Sequence, residues 1–354
     1  MATVSVVNPI DNKSKHLIST PTKIVGEYHG SYCSIKHAWQ LGNRKSITEA
    51  SNDEQEFFVI ELNEFPKEIV ESNGLNEFRG YNIGFMISEL LAILFGKVFY
   101  YHGAIEQNNL YTIPNIEYIR HEYKKSYPYN SKTRPDLNIE LNLEEVNKIG
   151  KIVNLKFGKD KIKNIRELLA AAKQYLLALQ YAHNDQDIAY ISLVESGEIF
   201  SNSIKIDETK LYDKKILDVL NEVKELENGE KKYNLLKGKL RQISNRYMIA
   251  ILEYLDDSFY GTSYSNDSQY SFTKENVRGY IKRSYDLRSK YVHNGESFGS
   301  GTMISMDFNW EINNGWNSNT SKDMKKCLLK SASFVGLERI IHYCLYKRMI
   351  EIIK

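Results

Sequence analysis

The sequence predicts an α+β, strand-rich N-terminal domain over residues 1–158. An all-α helical bundle over residues 159–354 follows, with an insert at 296–322. Three observations predict this. The first part carries short β-branched or aromatic runs with polar flanks. From about residue 160, apolar residues recur at three- and four-residue steps. No proline occurs after Pro135, which suits uninterrupted helices.

In the first part, Lys23–Tyr28 and Glu56–Leu62 read as strands. Ile87–Leu94 reads as a helix, and Lys97–Tyr101 as a strand ended by Gly103. The stretch Tyr123–Pro135 holds two prolines among Lys and Tyr residues and reads as a loop. It is assigned to single-stranded RNA or to plain solvation, the second being the blander use of such a mixture.

In the second part, Ile162, Ile165, Leu168, Leu169, Ala172, Leu176 and Leu179 form one apolar stripe, broken by Asn184-Asp185. Further helices are expected over Ile188–Phe200, Leu211–Leu226, Leu235–Leu255, Thr273–His293 and Asp323–Ile353. Asn228-Gly229 and Asn294-Gly295 are helix stops. Within the insert, Thr302–Ile312 reads as a small hairpin.

Composition excludes several classes. The 354 residues carry 47 Lys and Arg against 45 Asp and Glu, a net charge of only +2. That balance excludes a uniformly basic nucleic-acid coat and leaves room for a local basic patch. Three separated cysteines, with no Cys-x-x-Cys, exclude a disulfide-stapled fold and the common zinc spacings. No secretory leader is read at Met1–Ser5. The most apolar stretch, Ile83–Tyr101, carries Glu89 and Lys97 and reads as a core helix entering a strand rather than a bilayer span. A cytoplasmic protein is the expectation.

One segment stands apart: Tyr285-Asp286-Leu287-Arg288-Ser289-Lys290-Tyr291-Val292-His293-Asn294-Gly295. It sets Arg288 and His293 on the last turns of an expected helix. With this spacing and helical setting the segment resembles the HEPN superfamily, whose signature is an Arg followed after four to six residues by His. More narrowly it resembles the ApeA-like HEPN branch. Ser196-Gly197-Glu198-Ile199-Phe200 is similar to that family's second helix. The resemblance covers residues 160–354 and leaves the first part untouched.

The resemblance implies a HEPN-like bundle, a homodimer with two motifs facing across a cleft, and a metal-independent endoribonuclease with no cofactor. It further implies a toxin-like role in bacterial anti-phage defence by abortive infection, answering a phage-derived trigger or regulatory partner. It gives Arg288 and His293 the catalytic roles. The residue types suit that chemistry. In metal-free RNA cleavage a 2′-hydroxyl attacks the adjacent phosphorus, so a base and an acid are needed, and His titrates near neutrality. Charge gathers on the phosphoryl oxygens, where a fork-shaped guanidinium stabilises it.

Supporting candidates are Asn294, Lys290 and Arg283 for RNA phosphates, with Arg278 and Lys282 nearby, and Glu198 for orienting a catalytic side chain. Each has a plain structural alternative: a solvated helix face, a helix stop or a salt bridge. Five residues along an ideal helix turn the side chain by about 140°. Arg288 and His293 therefore do not share one face of a single helix, which is the sequence-level reason to look for a second copy. The rival reading is a non-catalytic HEPN-type helical dimerisation and binding module, with Arg288 capping the helix and His293 on its surface. In some HEPN toxins a tyrosine stands two places after the His and is modified by a partner enzyme. Here that place is Gly295, so the resemblance does not extend to that control.

Overall fold

The computed structural model describes residues 14–22, 24–38, 56–63, 83–107, 110–112, 141–182, 184–207, 210–240, 242–263, 265, 267–299, 310–313 and 320–354. The chain forms two compact units. One comprises residues 1–180 with 345–354, and the other residues 181–344.

The first unit is built on an antiparallel sheet. Its strands are β1 (Ser14–Thr20), β3 (Tyr28–His29), β4 (Cys33–His37), β5 (Glu56–Leu62), β6 (Tyr100–Gln107) and β7 (Leu110–Tyr111). They lie in the order β3-β4-β5-β1-β6-β7. β1 is central and pairs Ser14 with Leu62 on one side and with Gln107 on the other. A separate parallel pair joins β2 (Ile24–Val25) to β8 (Leu141–Asn142). Period two sets the faces of the large sheet. Ile18, Ile35, Phe58 and Ile60 are buried on one face. Lys15, Lys36, Glu61 and Glu106 mark the other, where Lys15 pairs with Glu106 at 2.7 Å and Lys36 with Glu61 at 2.9 Å.

Helix α1 (Ile83–Phe95) packs on β1 and β6 and is buried along almost its whole length. A 3-10 turn at Leu143–Ile149 and the short α2 (Gly150–Val153) follow β8. The buried Asn154 after α2 ties the turn to the sheet. Its carboxamide oxygen accepts from the Tyr32 and Cys33 amides at 2.8 and 3.2 Å, and its nitrogen donates to the Tyr28 hydroxyl at 2.6 Å. Helix α3 (Ile162–Tyr181) buries the expected stripe. Residues 345–354 join this unit through Arg348, which donates to Asn164 at 3.4 Å, and through the Ile353 carbonyl, which accepts from Lys151 at 3.0 Å.

The second unit is helical: α4 (Gln186–Ser203), α5 (Lys214–Lys224), α6 (Gly229–Lys239), α7 (Ile243–Tyr254), α8 (Asp257–Tyr260), α9 (Val277–Asn294), α10 (Lys322–Leu328) and the first part of α11 (Phe334–Ile353). Asp185 caps α4 by accepting from the Ile188 amide at 3.0 Å. Gly197 lets α4 approach its neighbours. A Cβ there would stand 2.7 Å from side-chain atoms of Tyr247 on α7 and Ile341 on α11. No described helix is long and apolar enough to cross a membrane.

Several elements differ from expectation. Lys23–Tyr28 is two short strands rather than one. The strand expected to end at Gly103 begins at Tyr100 and runs through that glycine to Gln107. The helix expected over Leu235–Leu255 is two, α6 ending at Lys239 and α7 beginning at Ile243, and Gln242 just before α7 takes φ 45°. The last long helix is also two. Between α10 and α11 the backbone turns aside: the Asn313 amide donates to the Ser331 carbonyl at 3.2 Å, the Ser333 amide to the Glu311 carbonyl at 3.0 Å, and Ile312 bridges Ala332. Partners distant in sequence take backbone groups that helix continuation would have used. Most of the expected hairpin Thr302–Ile312 lies outside the described residues, as does the loop Tyr123–Pro135.

Candidate functional site

The motif lies on α9, which packs against α4, α7 and α10. The helix begins at Val277, four residues later than expected, and Thr273 and Asn276 close the turn that precedes it. The Thr273 amide donates to the Asn276 side chain at 2.8 Å, and the Asn276 amide to the Thr273 hydroxyl at 3.3 Å. Val277, Ile281, Ser284 and Leu287 form the buried edge. Ser284 is a polar anchor there: its hydroxyl accepts from Tyr190 of α4 at 2.8 Å and from the Ala332 amide at 3.2 Å. Tyr190 is fully buried, and burial pushes its phenol well above the usual range, so it stays neutral.

The far end of α9 stays helical through Asn294. Gly295 then takes φ 65° and its amide caps the Tyr291 carbonyl at 2.8 Å, a left-handed stop that glycine adopts without steric cost. The chain beyond is fixed. The Phe298 ring is buried against Tyr190 and Tyr291, and its amide donates to the Asp187 carboxylate at 3.3 Å. His293 and Asn294 are both exposed on this last turn.

Arg288 sits one and a half turns earlier and faces α4. Its side chain is 23% exposed, and its Nη2 atom lies 3.7 Å from a Glu198 oxygen and 3.9 Å from a Glu195 oxygen. Both separations exceed a hydrogen bond, so these pairs offset charge without fixing the fork. The buried Nε atom has no hydrogen-bond partner. Glu198 also reaches two phenols by its charge. Tyr285, one turn before Arg288, is half-buried and its pKa is raised mainly by burial and secondarily by Glu198, while Arg288 pulls it down. The Tyr247 ring of α7 lies tilted against that of Tyr285 with centroids 5.3 Å apart, and its buried hydroxyl has no partner. Tyr247 is driven well above the usual phenol range by burial, with the Glu198 charge a lesser cause.

The structure thus brings together Arg288 and Glu198 from the sequence-derived candidates. It adds Glu195, Tyr285 and Tyr247, which spacing did not single out. Glu195 had one signal: it lies three residues before Glu198 and shares its helix face. Among the other candidates, Arg283 is exposed and paired with Asp286 at 3.0 Å, while Lys290 is half-buried. Trp310 stacks on Tyr270 with ring centroids 4.2 Å apart, and Trp316 lies outside the described residues. Among the described residues no group of three or more His, Cys, Asp or Glu is placed to hold a metal ion.

No family model, curated protein or solved structure matches this chain.

The unit offers a second arginine for comparison. Arg339 on α11 is 3% exposed, donates to Glu311 at 2.6 Å and to the Phe259 carbonyl, and lies 3.9 Å over the Phe259 ring. Its fork is consumed by the fold. The fork of Arg288 makes no hydrogen bond to any described residue and is reached by solvent.

Proposed function

We propose that this protein is a metal-independent endoribonuclease of the HEPN type. It works as a homodimer in bacterial defence against phage, with RNA as substrate and a phage-derived trigger. The observation that carries the reading is the contrast between the two arginines. A structural arginine in this unit spends its donors on carboxylate, carbonyl and ring, whereas Arg288 keeps its donors open beside loosely placed acids. Open guanidinium donors at a partly exposed position suit a phosphoryl group.

In this reading Arg288 holds the scissile phosphate and stabilises the charge that gathers on its oxygens. His293 takes the 2′-hydroxyl proton or returns a proton to the leaving 5′-oxygen. The two products carry a cyclic phosphate and a 5′-hydroxyl. His293 lies about 140° around the helix from Arg288, so its working partner comes from a second copy. The unit containing the sheet carries trigger sensing or RNA choice.

The test is cleavage of labelled RNA in EDTA by the full chain. Arg288→Ala and His293→Ala should each slow cleavage by about a hundredfold or more, with the helical circular dichroism unchanged. Activity abolished by EDTA and restored by magnesium contradicts the mechanism. Equal RNA binding without cleavage by all three proteins favours the non-catalytic dimerisation module.

A further inference from the structure

The site holds more negative charge than an RNA-cleaving arginine needs. Two carboxylates, Glu195 and Glu198, face one guanidinium, and both approach the same nitrogen, Nη2. Taken alone, this trio carries a charge of −1. An incoming phosphodiester is also −1, so it meets repulsion at the group meant to hold it.

The two acids are not equivalent. Glu198 is the nearer, at 3.7 Å, its side chain is 21% exposed, and its charge is felt by the inner phenols Tyr247 and Tyr285. It belongs to the wall of the site. Glu195 is farther, at 3.9 Å, and its side chain is 36% exposed, so it stands on the solvent side where a phosphate must enter. They lie three residues apart on α4, the spacing that puts two side chains on one face with Arg288 opposite both. A purely structural pair of acids would be expected to close hydrogen bonds on the guanidinium, and neither does.

We propose that Glu195 is an electrostatic gate on the Arg288 phosphate site. It competes with RNA phosphate for the outer guanidinium face and holds the isolated chain in a low-affinity state, while Glu198 stays on the inner wall of the site. The proposal rests on the endoribonuclease reading and adds its regulation: relief requires only that Glu195 lose its charge or leave the arginine. The direction is opposite to that of a supporting residue, whose loss weakens the site.

The experiment measures binding of a uridine decamer to the full chain at several salt concentrations, together with its metal-free cleavage. The proteins are wild type, Glu195→Gln, Glu195→Ala, Glu198→Gln, Arg288→Ala and the double variant Glu195→Gln/Arg288→Ala. Both Glu195 variants should bind roughly fivefold tighter and cleave faster. Their salt dependence should steepen by roughly 0.7 in log–log slope, as one more phosphate is neutralised. Glu198→Gln should not tighten binding, and the double variant should lose the gain. If the Glu195 variants bind no tighter than wild type while Arg288→Ala weakens binding, the gate is wrong and the phosphate site stands. Equal tightening by Glu198→Gln also overturns the gate, since any lost charge would then serve. If Arg288→Ala changes neither binding nor cleavage, the endoribonuclease reading falls and the gate falls with it. Two Glu195 variants of different shape guard against a packing effect at one of them.

Discussion

Two arginines of the helical unit, Arg288 and Arg339, show the two uses one residue type can be put to. Arg339 reaches Glu311, whose other carboxylate oxygen accepts from the Phe272 amide at 2.7 Å. Glu311 is fully buried. Removing the guanidinium therefore strands a buried charge. Arg339→Ala should lower stability by about 3–5 kcal/mol, read as the denaturant midpoint, and Arg339→Lys should recover only part because the fork and the ring contact are lost. A variant that unfolds as wild type does would show that the pair is incidental. Arg288→Ala, by contrast, should cost little stability, since its donors are unspent. The motif pair Arg288 and His293 was legible in the sequence because it lies within one helix. Glu195 and Tyr247 are not legible as neighbours of Arg288, because contacts made between helices leave no spacing in the chain. Arg283 is a case of the reverse: read as a base for phosphate, it is paired with Asp286 three residues on.

At the scale of elements, hydrophobic period recovered where helices exist better than where they end. The stripe of α3 was legible at nearly every position, while α10 and α11 read as one helix because their break is made by residues 311–313, which no local pattern announces. The central strand β1, Ser14–Thr20, was missed altogether. Its Lys15, His16 and two serines hide the strand pattern, although His16 is buried. That histidine hydrogen-bonds Ser14 at 2.8 Å and Tyr101 at 2.9 Å, and burial lowers its pKa to about 4. On α1, Glu89 is fully buried with neither oxygen hydrogen-bonded, and burial raises its pKa to about 8 against a smaller pull from Lys173. The two groups give opposite slopes of about 1.4 kcal/mol per pH unit. The Glu89 contribution is complete below its ordinary 4.5 and is lost as pH rises to about 8. The His16 contribution is complete above its ordinary 6.5 and is lost as pH falls to about 4. Between 4.5 and 6.5 they cancel, and above 6.5 only Glu89 acts, so this unit should weaken steadily toward pH 8. Hydrogen exchange of the β1 and β6 amides measures it. Glu89→Gln should abolish the alkaline decline and uncover a rise between pH 4.5 and 6.5. An unchanged profile in that variant would mean the carboxyl is not the titrating group.

At the scale of the whole molecule, the sequence suggested a change of texture near residue 160, and the sheet and the helices lie on the expected sides of it. The compact units follow a different thread. Helix α3 and residues 345–354 are counted with the sheet, and α11 supplies residues to both units. Apolar period shows that a helix has a buried face without naming what covers it. A chain starting at residue 159 would carry the α3 stripe, Ile162 to Leu179, and residues 345–354 without the sheet that shares their unit. It should bind a hydrophobic dye and aggregate at micromolar concentration, whereas the full chain should not, as light scattering would show. A stable, monodisperse product with its helices intact would contradict this.

The placement of residues 345–354 also has a consequence in time. A ribosome releases the sheet strands first and Arg348, which holds Asn164, well after them. At ordinary elongation rates, about 5–20 residues per second, roughly ten seconds or more separate the emergence of α3 from the emergence of the segment that completes its unit. The helical unit, residues 181–344, has its whole sequence translated before that segment. The first unit therefore cannot be completed until the whole sequence of the second has been made, so its own last contacts wait on a segment translated long after its sheet and α3.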